Sequence, residues 1–151
     1  MKPMVEKQAV NLRFDGSVWC NMDIALRNIE QALGRDIRPM GLTVIELYIL
    51  RALYQRDGQY ASELAHAVGR AATSFTPNLD KLQEKNLIER RNDTRDRRAV
   101  RIHLTEEGKR RREEILRTAQ ELDDRLAGLF DREEFETFLS VLNTLQNVQF
   151  S

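Results

Sequence analysis

Apolar residues recur at helical spacing through most of this chain, and the one stretch where the period changes to two shows how it is built. Ala61, Leu64, Ala65 and Val68 share one face of a short helix. Gly69 ends it, where a residue without Cβ takes the left-handed conformation of a C-cap. Phe75, Leu79 and Leu82 give a second helix its inward face. The opposite face carries Thr73, Ser74, Thr76, Asn78 and Lys81, side chains suited to phosphates or base edges. Leu87 to Arg91 reads as a short strand after a helix stop at Asn86. Ala99 to Leu104 alternates Val100, Ile102 and Leu104 against Arg101 and His103, the pattern of a half-buried strand. Between the strands lies Asn92 to Arg98, polar and mostly cationic. Helix, tight turn, polar-faced helix and basic-tipped ribbon predict a winged helix-turn-helix, whose second helix enters the major groove of DNA.

The flanks are helical. Ser17 caps a helix running to about Gly34, with Val18, Met22, Ala25, Ile29 and Leu33 on one face and Trp19, Ile24 and Leu26 beside it. That pattern fits packing within one chain as well as packing against a partner. Residues 1–16 show no clear period and read as an arm or a first half-turn. Pro39 and Gly41 punctuate a break over Arg35 to Gly41. Thr43 with Glu46 forms a capping box, and the helix it opens runs to about Arg56 with almost no polar face, which predicts a central, buried element. Asp57-Gly58 is a turn, and Gln59-Tyr60 adds a third strand to the wing sheet. Thr105 caps one long helix with Glu106 and Glu107 in its first turn. Its stripe of Ile115, Ala119, Leu122, Leu126 and Leu129 approximates a coiled-coil seam suited to a partner helix. Asp131 with Glu134 opens the last helix, whose apolar face is Phe135, Phe138, Leu139, Leu142 and Leu145. The first and last helices carry more apolar surface than a small wing domain covers. A homodimer is expected, with two recognition helices about one DNA turn apart on a pseudo-palindromic operator.

Composition narrows the alternatives. The 151 residues are 41% hydrophobic and 32% charged, with no apolar run long enough to span a membrane and no apolar leader at the start, so the cytoplasm is expected and a membrane partner is not. One cysteine makes no internal disulfide. The net charge of zero hides segregation. Arg70 to Arg112 holds thirteen Lys or Arg against seven Asp or Glu, while Glu113 to Glu136 holds three against nine, so the DNA face can be basic on a neutral protein. His66 and His103 have no second ligand at metal spacing, and no Gly-rich phosphate loop or serine elbow is present. Neither an enzyme, nor a cofactor, nor a metal site is expected.

Asp93, Asp96, Arg98, Ile102, Leu104, Thr105 and Gly108 together resemble the MarR family of bacterial transcriptional regulators. The resemblance implies a mainly α fold with a small β-wing. Residues 43–104 would form the DNA-binding lobe of a single domain spanning 1–151, and 17–34 with 105–150 the dimerisation helices. It implies a ligand-responsive repressor. It places Arg98 in the minor groove with Asp96 orienting it, and Arg95 and Arg97 on phosphates. Lys109 to Arg112 either reaches backbone phosphate or is a solvated face. Pro77 after Thr76 means that the recognition helix starts late or bends, and the pair is similar to the organic-hydroperoxide-sensing, OhrR-like branch. Cys20 lies near the place of that branch's reactive cysteine, but Ile24 and Gly34 stand where its supporting tyrosines would be. Cys20 is therefore either a redox sensor or a small buried hydrophobe. The family's commoner signal is a small inducer such as an aromatic acid. Trp19, Tyr48, Arg51 and Tyr54 could line its pocket, or be core residues needing no ligand. A winged helix serving only protein contacts is the remaining alternative, and it would need neither the Arg-rich tip nor the polar helix face.

Overall fold

The computed structural model describes residues 10–150. Seven α-helices and three strands follow one another as α1 (Val18–Ile37), α2 (Val44–Gln55), β1 (Gln59–Tyr60), α3 (Ala61–Ala67), α4 (Ala72–Glu84), β2 (Ile88–Asn92), β3 (Val100–Leu104), α5 (Glu106–Arg110), α6 (Arg112–Ala127) and α7 (Arg132–Asn147), with a single 3-10 turn at Arg38–Met40. The helix starts are fixed by short-range chemistry. The Ser17 hydroxyl accepts from the Cys20 amide, Thr105 accepts from Gly108, and both capping boxes, Thr43 with Glu46 and Asp131 with Glu134, are closed in each direction.

Around α2 the lobe is assembled. Leu47, Ile49, Leu50 and Leu53 are fully buried and meet Leu64 of α3, Phe75, Leu79 and Leu82 of α4, and Ile102 of the sheet in one core. Yet α2 is not buried on all sides, as the apolar pattern predicts: Tyr48 and Arg51 face outward, and it is Glu46 that is fully enclosed. A buried carboxylate needs partners, and Glu46 has them. Thr43 donates to it from its hydroxyl at 2.8 Å, and the Lys85 ammonium reaches both oxygens at 2.6 and 2.9 Å. Lys85 caps the C-terminus of α4, so this pair ties the recognition helix to the start of α2. Replacing Lys85 by Met leaves the carboxylate without its counter-ion. The expected loss is about 1–2 kcal/mol, less than for a fully enclosed pair because Lys85 still reaches water, and thermal melts at fixed protein concentration would read it.

The sheet is antiparallel in the order β1-β3-β2, with Gln59 opposite Ile102 and Ile88 opposite Leu104. The third strand at Gln59–Tyr60 is therefore present.

Other expectations are corrected. The first helix continues three residues past Gly34 to Ile37, because Leu33 and Ile37 are buried against the core. Its N-terminal half differs: Val18 and Trp19 are about three-quarters exposed, and Met22 and Leu26 are exposed as well. Ala61, assigned to the inner face of α3, is exposed. The helix after the wing is not continuous; it breaks at Arg111, whose guanidinium donates to the Met40 carbonyl at 2.8 Å. Nor is its stripe a free seam. Ile115, Ala119 and Leu122 are buried within this chain, where α6 packs on α1 and α2, and only Leu129 is fully outside. By contrast, α7 has no buried residue, and Leu139, Leu142 and Leu145 are exposed. Most of the arm, residues 1–9, lies outside the described residues, while residues 10–16 are exposed and irregular.

Candidate nucleic-acid interface

Between α3 and α4 the chain turns in four residues. Gly69 takes φ +65°, a conformation natural to glycine, and the Arg70 amide closes on the Ala65 carbonyl at 2.8 Å. The turn sets α4 with Phe75, Leu79 and Leu82 locked in the core, so its other side must face out. Thr73, Ser74, Thr76 and Lys81 are exposed there and Asn78 is half-exposed. Pro77 sits inside α4, which nonetheless begins at Ala72: the helix does not start late. Two of the five predicted contacts are partly engaged with their own backbone. The Ser74 hydroxyl donates to the Ala71 carbonyl at 3.0 Å, and the Asn78 amide to the Ser74 carbonyl at 3.3 Å. Each keeps further hydrogen-bonding capacity for a base edge.

The wing extends from β2 and β3. Arg95, Asp96, Arg97 and Arg98 are all exposed at its tip. The Asp96 carboxylate accepts from the Arg98 backbone amide at 3.0 Å, so it shapes the tip turn rather than gripping the Arg98 guanidinium.

Ion pairing sorts the basic residues. Arg90, Arg91 and Arg101 in the strands are paired with Asp80, Glu89 and Asp93. Lys109, Arg110 and Arg111 are paired with Glu106, Glu107 and Glu114. Among the described residues, Arg95, Arg97, Arg98 and Lys81 are in no ion pair, and neither is Arg70 in the turn. Cations without protein partners are the ones free to replace counter-ions on a phosphate backbone. The start of the post-wing helix is thereby the weaker candidate, although Arg112 is also unpaired and exposed. Arg70 was not among the residues read from sequence; its place in the turn of a helix-turn-helix was the available signal. Arg90 was also missed: it donates to Asp80 at 2.8 Å and to Gln83, bracing the outer side of α4 against β2.

Asp93, which opens the wing loop, is buried. Its carboxyl is held well below the usual range, from 3.8 to about 2, because the Tyr60 hydroxyl and the Arg95 amide donate to it and Arg101 lies beside it. Tyr60 is shifted upward by the same hydrogen bond. A group whose folded pKa is depressed contributes stability above its unfolded pKa and loses it as pH falls through the folded one. Between about pH 4 and pH 2 the protein is therefore expected to lose stability through Asp93. Asp93→Asn should flatten that part of the curve in melts run across the same range.

None of the four residues proposed for a ligand pocket lines either of two open grooves on this chain. Trp19 projects from the first turn of α1, and Tyr48 and Arg51 are exposed on α2. Tyr54 is half-buried and donates to the Gly108 carbonyl at 2.7 Å; burial pushes its pKa up to about 12, against the opposing pull of Arg111 and Arg112. The two grooves lie beside Asp36, Thr118 and Arg125, and beside Phe130, Thr137 and Phe138. Cys20 is half-buried, in the first turn of α1. His66 is exposed, and His103 lies 3.8 Å from Asp57. Among the described residues no group of three His, Cys, Asp or Glu side chains is arranged to hold a metal. No helix there is long and apolar enough to cross a membrane.

A helix-turn-helix with an outward polar face, flanked by a ribbon whose tip is cationic, defines a winged-helix protein of the kind that binds DNA. Residues 42–100 match the family model described as MarR family. The chain is 31% identical over 131 residues to the uncharacterized HTH-type transcriptional regulator YsmB of Bacillus subtilis (strain 168), covering 84% of this chain and 90% of that one. It is 27% identical over 114 residues to the HTH-type transcriptional repressor MdtR of the same organism, covering 76% and 74%. In structure it resembles the transcriptional repressor CouR of Rhodococcus jostii RHA1 bound to a 23-mer DNA duplex, with TM-score 0.78 and 25% identity over 85% of this chain and 92% of that one. The chain belongs to the MarR family of transcriptional regulators.

Proposed function

We propose that this protein is a homodimeric, sequence-specific DNA-binding repressor released by a small-molecule inducer, acting in the cytoplasm and without catalytic activity. The observation that carries the reading is the unpaired cationic tip, Arg95, Arg97 and Arg98, on the same lobe as the outward polar face of α4. Thr73, Ser74, Thr76 and Asn78 are assigned to base edges, and Lys81, Arg95 and Arg97 to phosphates. Arg98 is assigned to the minor groove, with Asp96 setting the turn that presents it.

A second copy would cover the apolar surface that one chain leaves open. Val18, Trp19, Met22 and Leu26 of α1 and Leu139, Leu142 and Leu145 of α7 are exposed large hydrophobics on the terminal helices. Soluble monomers seldom expose this much apolar helix face. MdtR and CouR are both described as repressors, which supports the sign of regulation. Release by an inducer is preferred to oxidation of Cys20, whose thiol has no hydrogen-bond partner among the described residues.

Hydroxyl-radical footprinting on DNA from upstream of its own coding sequence tests the proposal. A twofold dimer should protect two patches about one helical turn apart, related by a pseudo-palindrome. A single unpaired patch, or uniform protection independent of sequence, would rule out the dimeric operator-binding reading.

A further inference from the structure

The wing is fastened at its base, away from its tip, by a cluster that bridges it to the helix-turn-helix. Tyr60 is the residue from which α3 starts, Arg101 stands opposite it in β3, and Asp93 follows the last residue of β2. The Arg101 guanidinium lies over the Tyr60 ring, 4.2 Å from its centroid. It donates to the Tyr60 hydroxyl at 2.9 Å and to the Gly58 carbonyl at 2.8 Å, and approaches the Asp93 carboxylate to 3.3 Å. Tyr60 in turn donates its hydroxyl to Asp93, whose other oxygen takes the Arg95 amide at 3.1 Å. Asp93 is only 8% exposed. As a strand, β1 pairs with the ribbon through just two residues, Gln59 and Tyr60.

We propose that Tyr60, Arg101 and Asp93 are positioning residues for DNA binding, holding the wing at a fixed angle to α3 and α4 so that its tip arginines meet DNA already oriented. The inference rests on the DNA-binding reading above. The cluster joins three elements: the start of α3, the central strand, and the first residue of the wing loop, from which Arg95 hangs by its own amide. A ribbon released from this anchor must be ordered again on each binding event, and that ordering reduces affinity without removing any contact. The stack and the fork of donors both require a planar guanidinium, which lysine does not supply.

The test is Tyr60→Phe, which keeps the ring beneath Arg101 and removes the hydroxyl that bridges Arg101 and Asp93, leaving only their direct approach at 3.3 Å. Fluorescence anisotropy on DNA from upstream of the protein's own coding sequence, across a salt series, would compare wild type, Y60F and R97A. Y60F is expected to bind roughly 10-fold more weakly, the scale of one or two lost hydrogen bonds, with the salt slope of wild type because no phosphate-binding cation is removed. R97A should lower the slope instead. Footprinting of Y60F should show wing protection fading while protection by α4 stays. Should Y60F fold poorly, Arg101→Lys conserves the charge, breaks the fork and is expected to give the same pattern. Y60F or R101K with wild-type affinity and footprint would overturn the inference alone. Wild-type protein indifferent to DNA sequence would overturn the DNA-binding reading and this inference with it.

Discussion

Replacing Gly108 by alanine is expected to destabilise the protein by about 2–3 kcal/mol, the range of overpacking against atoms that cannot rotate away. A Cβ at this position would lie 2.2 Å from the Leu87 carbonyl oxygen. That oxygen belongs to backbone and already accepts from the Thr105 amide at 3.1 Å, so it is pinned between β2 and the start of α5. Alanine's better helix propensity offsets up to about 1 kcal/mol, a gain included in the estimate. The melting temperature should fall by roughly 4–12 °C at fixed protein concentration. The position is also a junction, since Tyr54 donates to the carbonyl of Gly108 and couples α2 to the same turn. Displacing α5 would therefore disturb the wing sheet from behind. A melting temperature unchanged within 1 °C would show that the approach of α5 to Leu87 relaxes at little cost.

Removing Arg95, Arg97 and Arg98 together, each to Ala, is expected to reduce operator affinity about 100-fold while leaving the melting temperature near that of wild type. These side chains are exposed and in no ion pair among the described residues, so the fold loses nothing through them. What is lost is counter-ion release: each phosphate contact contributes about 0.9 to the slope of log affinity against log salt. Both the affinity and the slope should fall. Equal triple substitution of Lys109, Arg110 and Arg111 should weaken binding much less, because all three are held by carboxylates of α5 and α6. Anisotropy titrations of the two variants, side by side, separate a specific role for the tip from a general effect of positive charge.

The helix-turn-helix was legible in the sequence because its determinants are local. Gly69 ends α3, Phe75, Leu79 and Leu82 turn α4, and the alternation of Val100, Ile102 and Leu104 marks β3; four cap residues placed the starts of α1, α2, α5 and α7. Long-range contacts were not legible. The break at Arg111 leaves the apolar spacing undisturbed, and its side-chain partner, the Met40 carbonyl, is seventy-one residues away. The stripe of α6 has the period of a partner seam, yet Ile115, Ala119 and Leu122 are filled from within by α1 and α2, and periodicity does not say which chain supplies the neighbour. Burial of Glu46 was hidden for a similar reason: the capping box is visible in four consecutive residues, but Lys85 is thirty-nine positions on. The candidate interface shows the same division. The outward residues of α4 and the tip arginines follow from spacing, whereas pairing, which distinguishes Arg95, Arg97 and Arg98 from Arg90, Arg91 and Arg101, depends on the fold.

The central claim, a dimer that reads a specific operator through its basic lobe, is tested most directly by anisotropy of purified protein on upstream DNA against a scrambled duplex, over a salt series. The account predicts binding at least about 1000-fold tighter to the upstream sequence than to the scrambled one, with affinity for both falling steeply as salt rises. Equal, weak and salt-insensitive binding to the two duplexes would contradict it.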